Sequence, residues 1–269
     1  MALGEDESRL ILKSVKKEPR TIQEISKLIG RSWVTTDTYL KQLKDKTGLI
    51  SIKTFRKGSQ AALKIVFYNY SESVSSDEVK DELFAKIRAG RAKPDFDFLD
   101  IYQFAKSKKA HVEHGKEAPN AVITAIRSAQ GNFLSFSGNL SFLNLKGVLE
   151  EIEAALKRKV SVKIICRVNL ASLSNLSKLN ILLQKYPESL EVRHSYQPLR
   201  GFIVDGKLAR FKQTEKAADY KEGELAKDTN IFYEIHDEEL VSWLEKVFWA
   251  IFRTSIAADE RVKELKRLK

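Results

Sequence analysis

From Thr21 to Asp45 the chain reads TIQEISKLIGRSWVTTDTYLKQLKD, the pattern of two helices joined by a tight turn. Thr21 and Glu24 stand three residues apart, as in the capping box that begins a helix. Isoleucines at helical spacing follow, so this first helix has one apolar face. Gly30 suits the positive φ that a sharp turn requires. We therefore predict a helix before Gly30 and a second helix directly after the turn.

The second helix is expected to begin after a Ser32 cap and to run over residues 33–45. Thr36, Leu40 and Leu43 follow the i, i+4, i+7 spacing of a buried face. The other face is free, and in a helix-turn-helix protein its N-terminal part enters the DNA major groove. We therefore assign DNA binding to this face and to the residue before it, which together comprise Arg31, Ser32, Trp33, Asp37, Thr38, Lys41 and Lys44.

Two strand-like runs follow, over residues 49–55 and 61–68, and a basic turn joins them. Gly58 in that turn suits a hairpin. Arg56 and Lys57 are expected to contact DNA phosphates beside the second helix. Together with the helices, the hairpin predicts a winged helix-turn-helix domain over residues 1–70. A small helical domain whose hairpin binds protein is the alternative.

The charge distribution favours the nucleic-acid interpretation. Residues 1–70 contain 14 Lys or Arg and 7 Asp or Glu, an excess of seven positive charges, while the whole chain has a net charge of +11. A basic patch raises the local concentration of a polyanion. Because most of the excess coincides with the helix-turn-helix pattern, double-stranded DNA is the expected partner.

Composition argues against several other classes of protein. No apolar run approaches the ~20 residues of a membrane span, and the acidic N-terminus lacks the regions of a signal peptide. Cys166 is the single cysteine, and we interpret it as a buried strand thiol. His111 and His114 are too few for a metal site and are expected in a solvated loop. We predict a cytoplasmic, nucleoid-associated protein with no membrane contact, no cofactor and no metal.

From residue 118 onward helical and strand-like segments alternate, which predicts an α/β sandwich with a mixed sheet. Strands are expected over residues 133–137, 160–168, 189–195 and 230–235, and a hairpin over 201–211 that turns at Asp205 and Gly206. Helices are expected over residues 145–157, 173–186 and 237–256, and between Pro119 and Gly131. Residues 71–110 are interpreted as a helical linker with a helix over 77–89, and residues 111–269 as the α/β domain.

Residues 198–205, PLRGFIVD, resemble a motif of the phospholipase D family, His-x-Lys-x4-Asp. Asp205 matches the motif and Arg200 stands in place of its Lys, but Pro198 stands in place of the His. The later Gly-Ser and Asn are also absent. Since the reaction of that family needs an imidazole nucleophile, the resemblance implies a degenerate, non-catalytic phospholipase D-like domain. His194 could substitute only after a change of register, and a single copy of the motif would require a dimer.

The chain as a whole is similar to archaeal regulators of the TrmB type. The similarity rests on the domain order, on residues 133–139 and 200–207, and on the aromatic closing helix. Such regulators join a winged helix to a helical linker and a degenerate phospholipase D-like effector domain. The resemblance implies transcriptional regulation by a homodimer.

A small anionic effector is a further expectation, because ligands of open α/β sheets bind outside the carboxyl ends of the strands. Polar and basic residues near the predicted strand ends form the candidate set Ser137, Asn139, Arg167, Arg200 and Lys207. The alternative is that these cations pair with carboxylates such as Asp205 and Glu191.

We therefore predict a sequence-specific DNA-binding transcriptional regulator. An architectural chromatin protein that coats DNA with little sequence preference is the first alternative, because the same basic hairpin would serve it. A phospholipase D-like nuclease is the second alternative and requires a nucleophile that the motif lacks.

Overall fold

The computed structural model describes residues 4–47, 49–55, 63–68, 77–106, 110–114, 119–222 and 224–267. The chain divides into two compact units. The first unit comprises Met1–Lys80, Leu99–Phe104 and Thr214–Thr229, and the second comprises Asp81–Phe98, Ala105–Gln213 and Asn230–Lys269. The domain boundaries after residues 70 and 110 stay a prediction.

Helices and a small antiparallel sheet make up the N-terminal part of the first unit. In chain order its elements are α1 (Glu5–Lys17), β1 (Arg20–Thr21), α2 (Ile22–Ile29), α3 (Trp33–Thr47), β2 (Ile50–Phe55) and β3 (Leu63–Tyr68). The described strands form a sheet of order β1-β3-β2, in which both pairings are antiparallel. Two further helices follow in the chain: α4 (Asp77–Ala89), most of which belongs to the second unit, and α5 (Leu99–Tyr102), which belongs to the first.

The predicted start of α2 is confirmed in atomic detail. The Glu24 amide donates to Thr21 Oγ1 at 3.2 Å, and the Thr21 amide donates to the Glu24 carboxylate at 2.7 Å. Gly30 ends the helix with a φ of 64°, as the turn requires. Ser32 Oγ accepts the Thr35 amide at 3.2 Å and so caps α3.

A compact apolar core holds these helices on the sheet. Ile22 and Ile25 of α2 and Leu40 and Leu43 of α3 are buried together with residues of α1, β2 and β3. Thr36 is also fully buried, as its spacing predicts. The buried face of α3 is therefore confirmed.

The second unit contains most of a large sheet and the helices that cover it. Its elements are β4 (Ala110–His114), α6 (Pro119–Ser128), β5 (Asn132–Phe136), α7 (Val148–Lys157), β6 (Ser161–Cys166), α8 (Leu173–Ser177), α9 (Asn180–Lys185), β7 (Leu190–His194), β8 (Gly201–Val204), β9 (Leu208–Glu215), β10 (Thr229–Ile235), α10 (Glu238–Thr254), β11 (Ile256–Ala257) and α11 (Ala258–Arg267). Among the described strands the sheet has the order β11-β7-β6-β5-β8-β9-β10-β4.

This sheet is mixed, as predicted. Strands β5, β6 and β7 are parallel, whereas β8 runs antiparallel to both β5 and β9. Helices cover both faces of the sheet. On one face, Phe133 stacks on Phe202 within the core cluster that includes α6 and α7. On the other face, Phe136 meets Phe248 of α10 edge to face at 5.1 Å between ring centroids. The second unit is therefore an α/β sandwich.

Two predictions of local structure are wrong. The single helix over 173–186 is two helices, because the Lys178 and Leu179 amides donate three residues back and form a tighter turn between α8 and α9. The segment with His111 and His114 is strand β4 and not a loop. Its antiparallel partner, β10, lies more than a hundred residues later in the chain, so no local pattern indicates the pairing. No helix in the described part of the chain has the length and apolarity to cross a membrane.

Candidate nucleic-acid interface and candidate anion site

Helix α3 presents an exposed surface that mixes apolar and hydroxyl side chains in its N-terminal half with basic side chains further along. Val34 is 67% exposed and Trp33 is 40% exposed. Thr38, Lys41 and Lys44 are also exposed, as their predicted positions on the free face require. Sequence reasoning missed Val34, although an apolar residue outside the i, i+4, i+7 pattern of the buried face was a usable signal.

Asp37 does not lie on the free face, so this prediction is wrong. The residue is only 8% exposed and lies between Lys41, at 2.8 Å, and Lys64 of β3, at 2.6 Å. Burial by itself would raise the pKa of the Asp37 carboxyl, but hydrogen bonds from Lys41 and Lys64 hold that pKa below its usual value. The reason for the burial is that β3 brings Lys64 against α3, a contact between residues 27 positions apart.

Lys64 connects this ion-pair cluster to the exposed tryptophan. Its ammonium group lies 5.1 Å from the centroid of the Trp33 ring, within range of a cation–π interaction. Lys64 was not predicted as a site residue, because only the tertiary structure places β3 beside α3. The Trp33 side chain is therefore held in place from one side while it remains partly open to solvent.

The other residues predicted to contact DNA differ in the contacts they make within the protein. Arg31 pairs with Glu7 of α1, with Nη2 at 2.8 Å and Nε at 2.9 Å from the carboxylate, and hydrogen bonding to Glu7 raises the pKa of Arg31. Thr38 Oγ1 donates to the Val34 carbonyl at 3.1 Å. Arg56 and Lys57 lie outside the described residues.

In the second unit, Arg200 lies at the carboxyl end of β5. The pairing of Gly201 with Phe136 brings the start of β8 to that end. Arg200 Nη1 donates to the carbonyls of Gln197, at 2.9 Å, and Leu199, at 2.6 Å. The rest of the guanidinium lies against Gly138, where a Cβ atom would come within 2.8 Å of Arg200 Nε.

Arg167 joins Arg200 at the same end of the sheet. Its amide donates to the Gly138 carbonyl at 2.9 Å. The pKa of Arg200 is lowered to about 10, first because the group is buried and second because the positive charge of Arg167 is near. Arg167 Nε is buried and has no hydrogen-bond partner among the described residues. The two arginines are therefore neighbours beside Gly138.

Neither arginine forms an ion pair with a carboxylate among the described residues, so the alternative of local pairing does not hold for these two residues. Glu191 binds Arg193 at 2.6 Å and Lys163 at 3.5 Å. Asp205 accepts hydrogen bonds from the backbone amides of residues 130, 131 and 132. Both proposed acidic partners are thus engaged elsewhere.

Ser137 and Asn139 lie at the same end and shape the loop after β5. Ser137 Oγ accepts the Leu140 amide at 3.0 Å, and Asn139 Oδ1 accepts the Ser141 amide at 3.2 Å. Sequence reasoning missed Gln197, which is 2% exposed and donates from Nε2 to the Ser137 carbonyl at 3.0 Å. The four predicted residues Ser137, Asn139, Arg167 and Arg200 are therefore neighbours at one end of the sheet.

The prediction that Lys207 lies near the same ends is wrong. Val204 pairs with Phe133, and the Asp205 amide donates to the Asn132 carbonyl at 3.1 Å. The turn that contains Lys207 is therefore at the amino end of β5. Strand β8 spans four residues, which separates Lys207 from Arg200 by roughly 13 Å or more. The reason is the antiparallel direction of β8. Its start, after Arg200, lies at the carboxyl end of β5, and its end, before Lys207, lies at the amino end of β5.

Asp205 has a structural role at the amino end of β5. Its carboxylate accepts the amides of Gln130, Gly131 and Asn132 at 2.8–2.9 Å. Burial would raise the pKa of Asp205, but these hydrogen bonds hold it below its usual value. The residue that matches the phospholipase D motif is thus a ligand of backbone amides.

Among the described residues, no nucleophile lies where the phospholipase D motif would place one. Pro198 is buried. His194 Nδ1 accepts the Val168 amide at 2.9 Å, and burial, followed by the charge of Arg261, lowers the pKa of His194. Strands β6 and β5 separate β7 from β8, so His194 is roughly 14 Å from the β8 position.

Burial raises the pKa of the Cys166 thiol to about 12. In the same described ranges, no group of three or more His, Cys, Asp or Glu could hold a metal ion.

No protein-family model matches the chain, and no curated protein matches it. Among solved structures, TrmBL2, described as an archaeal chromatin protein with a novel mode of DNA binding, is 19% identical with a TM-score of 0.43, covering 95% of this chain and 94% of that chain. Nuc from Salmonella typhimurium, a phospholipase D family member, is 18% identical with a TM-score of 0.41 and covers 55% of this chain and 96% of that chain. NucT from Helicobacter pylori is 15% identical with a TM-score of 0.41, and the match covers 55% of this chain and 98% of that chain. At these identities and scores the similarities establish no function for this chain.

Proposed function

We propose that this protein is a sequence-specific transcriptional regulator that binds double-stranded DNA through a winged helix-turn-helix in its first unit. The observation that carries the proposal is the exposed face of α3, which follows a sharp turn at Gly30. This surface belongs to a region with an excess of seven positive charges. In such proteins the corresponding helix enters the major groove.

The side chains of this surface divide into two groups. Trp33, Val34 and Thr38 suit contacts with base edges and thymine methyl groups. Lys41 and Lys44 suit phosphate contacts, which position the protein but carry no sequence information. The hairpin residues Arg56 and Lys57 are proposed to add phosphate contacts, and Arg31 would exchange Glu7 for a phosphate. Asp37 then fixes Lys64 beside Trp33 and makes no contact with DNA.

A salt titration tests the phosphate contacts. The Lys41→Ala and Lys44→Ala double variant is expected to weaken binding to all duplex sequences and to lower the slope of log K against log salt by about 0.9 for each phosphate that is no longer neutralised. Lys207→Ala, which removes an exposed lysine from the second unit, is the matched control and should bind as the unsubstituted protein does. An unchanged slope in the double variant would remove these lysines from the interface.

Footprinting on genomic fragments separates a regulator from a chromatin coat. Discrete protected sites, lost in a Trp33→Ala and Val34→Ala double variant, support base recognition by α3. Continuous protection with no preferred sites would make the protein an architectural coat and contradict the proposal of sequence specificity.

The second unit is proposed to dimerise and to lack phosphodiesterase activity. The degenerate motif supports the second part, since Pro198, in place of the motif His, has no titratable side chain and His194 is hydrogen-bonded elsewhere. Sedimentation analysis of the full chain tests the first part. A monomer at micromolar concentration, with and without DNA, would contradict dimeric regulation.

A further inference from the structure

The proximity of Arg167 and Arg200, which both lie beside Gly138, is energetically unusual. Both groups are only partly exposed, and like charges at close range disfavour each other. Partly buried charges are normally paired or fully hydrogen-bonded. Within the described part of the chain, Arg167 Nε has no hydrogen-bond partner and no carboxylate forms an ion pair with either residue. The arrangement therefore lacks a negative charge.

Arg200 is nevertheless held in a defined position. Its Nη1 group is anchored by the carbonyls of Gln197 and Leu199, and its other side lies against Gly138. The loop that contains Gly138 is fixed in turn by the Gln197 side chain and by the Arg167 amide. None of these anchors uses Arg200 Nε or Nη2, so these donors have no hydrogen-bond partner among the described residues. Such pre-organisation favours binding, because fewer rotamers are lost when a ligand arrives.

We propose that Arg167 and Arg200 form a binding site for a small phosphate-bearing ligand at the carboxyl ends of β5 and β6. A guanidinium group presents planar donors that match a phosphate in bidentate fashion. Two such groups carry a charge of about +2, which suits the dianion of a phosphate monoester better than a carboxylate. The site lies wholly in the second unit, so the proposal stands independently of DNA binding by the first unit.

Thermal unfolding of the full chain in inorganic phosphate, compared with chloride at equal ionic strength, tests the site. The melting temperature is expected to rise by on the order of 3 °C when phosphate exceeds its Kd about tenfold. Arg167→Gln and Arg200→Lys should abolish this rise, since the first removes a charge and the second keeps the charge but loses the planar fork. Lys207→Ala, at the opposite edge of the same sheet, should retain it.

Stability without phosphate distinguishes a ligand site from a structural role. Removal of Arg167 relieves repulsion, so Arg167→Gln in chloride is expected to be at least as stable as the unsubstituted protein. A marked loss of stability in chloride would mean that Arg167 serves the fold, and would overturn the proposal. A wild-type protein without a phosphate-dependent rise would overturn it as well.

Two further arms locate the bound phosphate. Lys41→Ala should show the same rise as the wild type, and loss of the rise in that variant would place phosphate on the first unit and overturn the proposal. Calorimetric titration with phosphate in the presence of saturating duplex DNA should give an unchanged Kd. Displacement of phosphate by the duplex would assign the site to the DNA backbone and not to a small ligand.

Discussion

At the scale of single residues, Asp205 shows how a motif position can serve folding without chemistry. Its carboxylate accepts the amides of Gln130, Gly131 and Asn132, which lead from α6 into β5. Hydrogen bonds to a charged acceptor contribute about 1.5–3 kcal/mol each before solvent exposure is considered. Asp205 therefore fixes the entry of the strand that carries Ser137 at its far end.

Replacement of Asp205 by Ala is expected to lower the free energy of unfolding by about 2 kcal/mol or more, because the amides lose their shared acceptor. Chemical denaturation followed by circular dichroism measures the change. Glu188→Ala removes an exposed carboxylate on the same unit and should change stability by less than about 0.5 kcal/mol. Equal effects of the two substitutions would contradict the role of Asp205.

Acid should weaken the contribution of Asp205. Because its pKa is lowered in the folded state, the stabilisation is fully present above the unfolded pKa of about 3.9 and is lost as pH falls through the folded value. The stability difference between the wild type and Asp205→Asn should therefore shrink between about pH 5 and pH 2. Denaturation midpoints measured across this range check the sign, and a difference independent of pH would contradict it.

In the ion pair formed by Asp37 and Lys64, the lysine depends on the aspartate for charge compensation. Lys64 has a side-chain exposure of only 15%, so Asp37→Ala leaves a largely buried ammonium group without its carboxylate. We expect a loss of roughly 1–3 kcal/mol. The double variant Asp37→Leu with Lys64→Met should recover most of it, since no buried charge remains. Additive losses in a double-mutant cycle would show that the pair is not coupled.

At the scale of elements, the turn between α2 and α3 depends on backbone conformation and not on space. Gly30 has a φ of 64°, yet an added Cβ atom there would meet nothing within 4 Å. Gly30→Ala is therefore expected to cost about 1 kcal/mol from strain alone. Gly30→Asn should cost less, because asparagine tolerates the left-handed region. Denaturation of both variants tests this order, and equal stability of Ala and Gly would contradict it.

Strand direction decides how the elements of the second unit distribute polar groups. Since β8 runs antiparallel to β5, its start meets the carboxyl end of β5 and its end meets the amino end. Arg200 and Lys207 are separated for this reason, although they are only seven positions apart in the chain. If β8 ran parallel to β5, its start would lie at the amino end of β5.

At the scale of the whole molecule, the order of strands separates His194 from the degenerate motif. His194 ends β7, whereas Arg200 precedes β8, and β6 and β5 lie between these strands. We therefore expect no hydrolysis of a chromogenic phosphodiester or of DNA by the full chain, with or without added metal ions. Any trace activity should be unchanged in His194→Ala. Turnover that this substitution abolishes would contradict the proposed loss of chemistry.

The sequence by itself determined the local structure of this protein. The capping pair Thr21 and Glu24, the glycine turn and the apolar spacing act over a few residues, so α2, α3 and the hairpin at Asp205 were predictable and are confirmed. The alternation of helices and strands likewise predicted the mixed sheet. Sequence prediction failed for β4, whose pairing partner is distant in the chain, and for the break between α8 and α9, where local hydrogen bonds three residues back are not indicated by the apolar spacing.

Only the tertiary structure decided which charged groups meet. Lys64 reaches Asp37 through the packing of β3 on α3, and strand register across β6, β5 and β8 brings Arg167 and Arg200 to the same end of the sheet, beside Gly138. Asp205 reaches the amides before β5 for the same reason. Pairing between strands places residues far apart in the chain within a few ångströms, and no local pattern specifies the order of the strands. Composition therefore indicated a basic protein, but strand order determined where its cations lie.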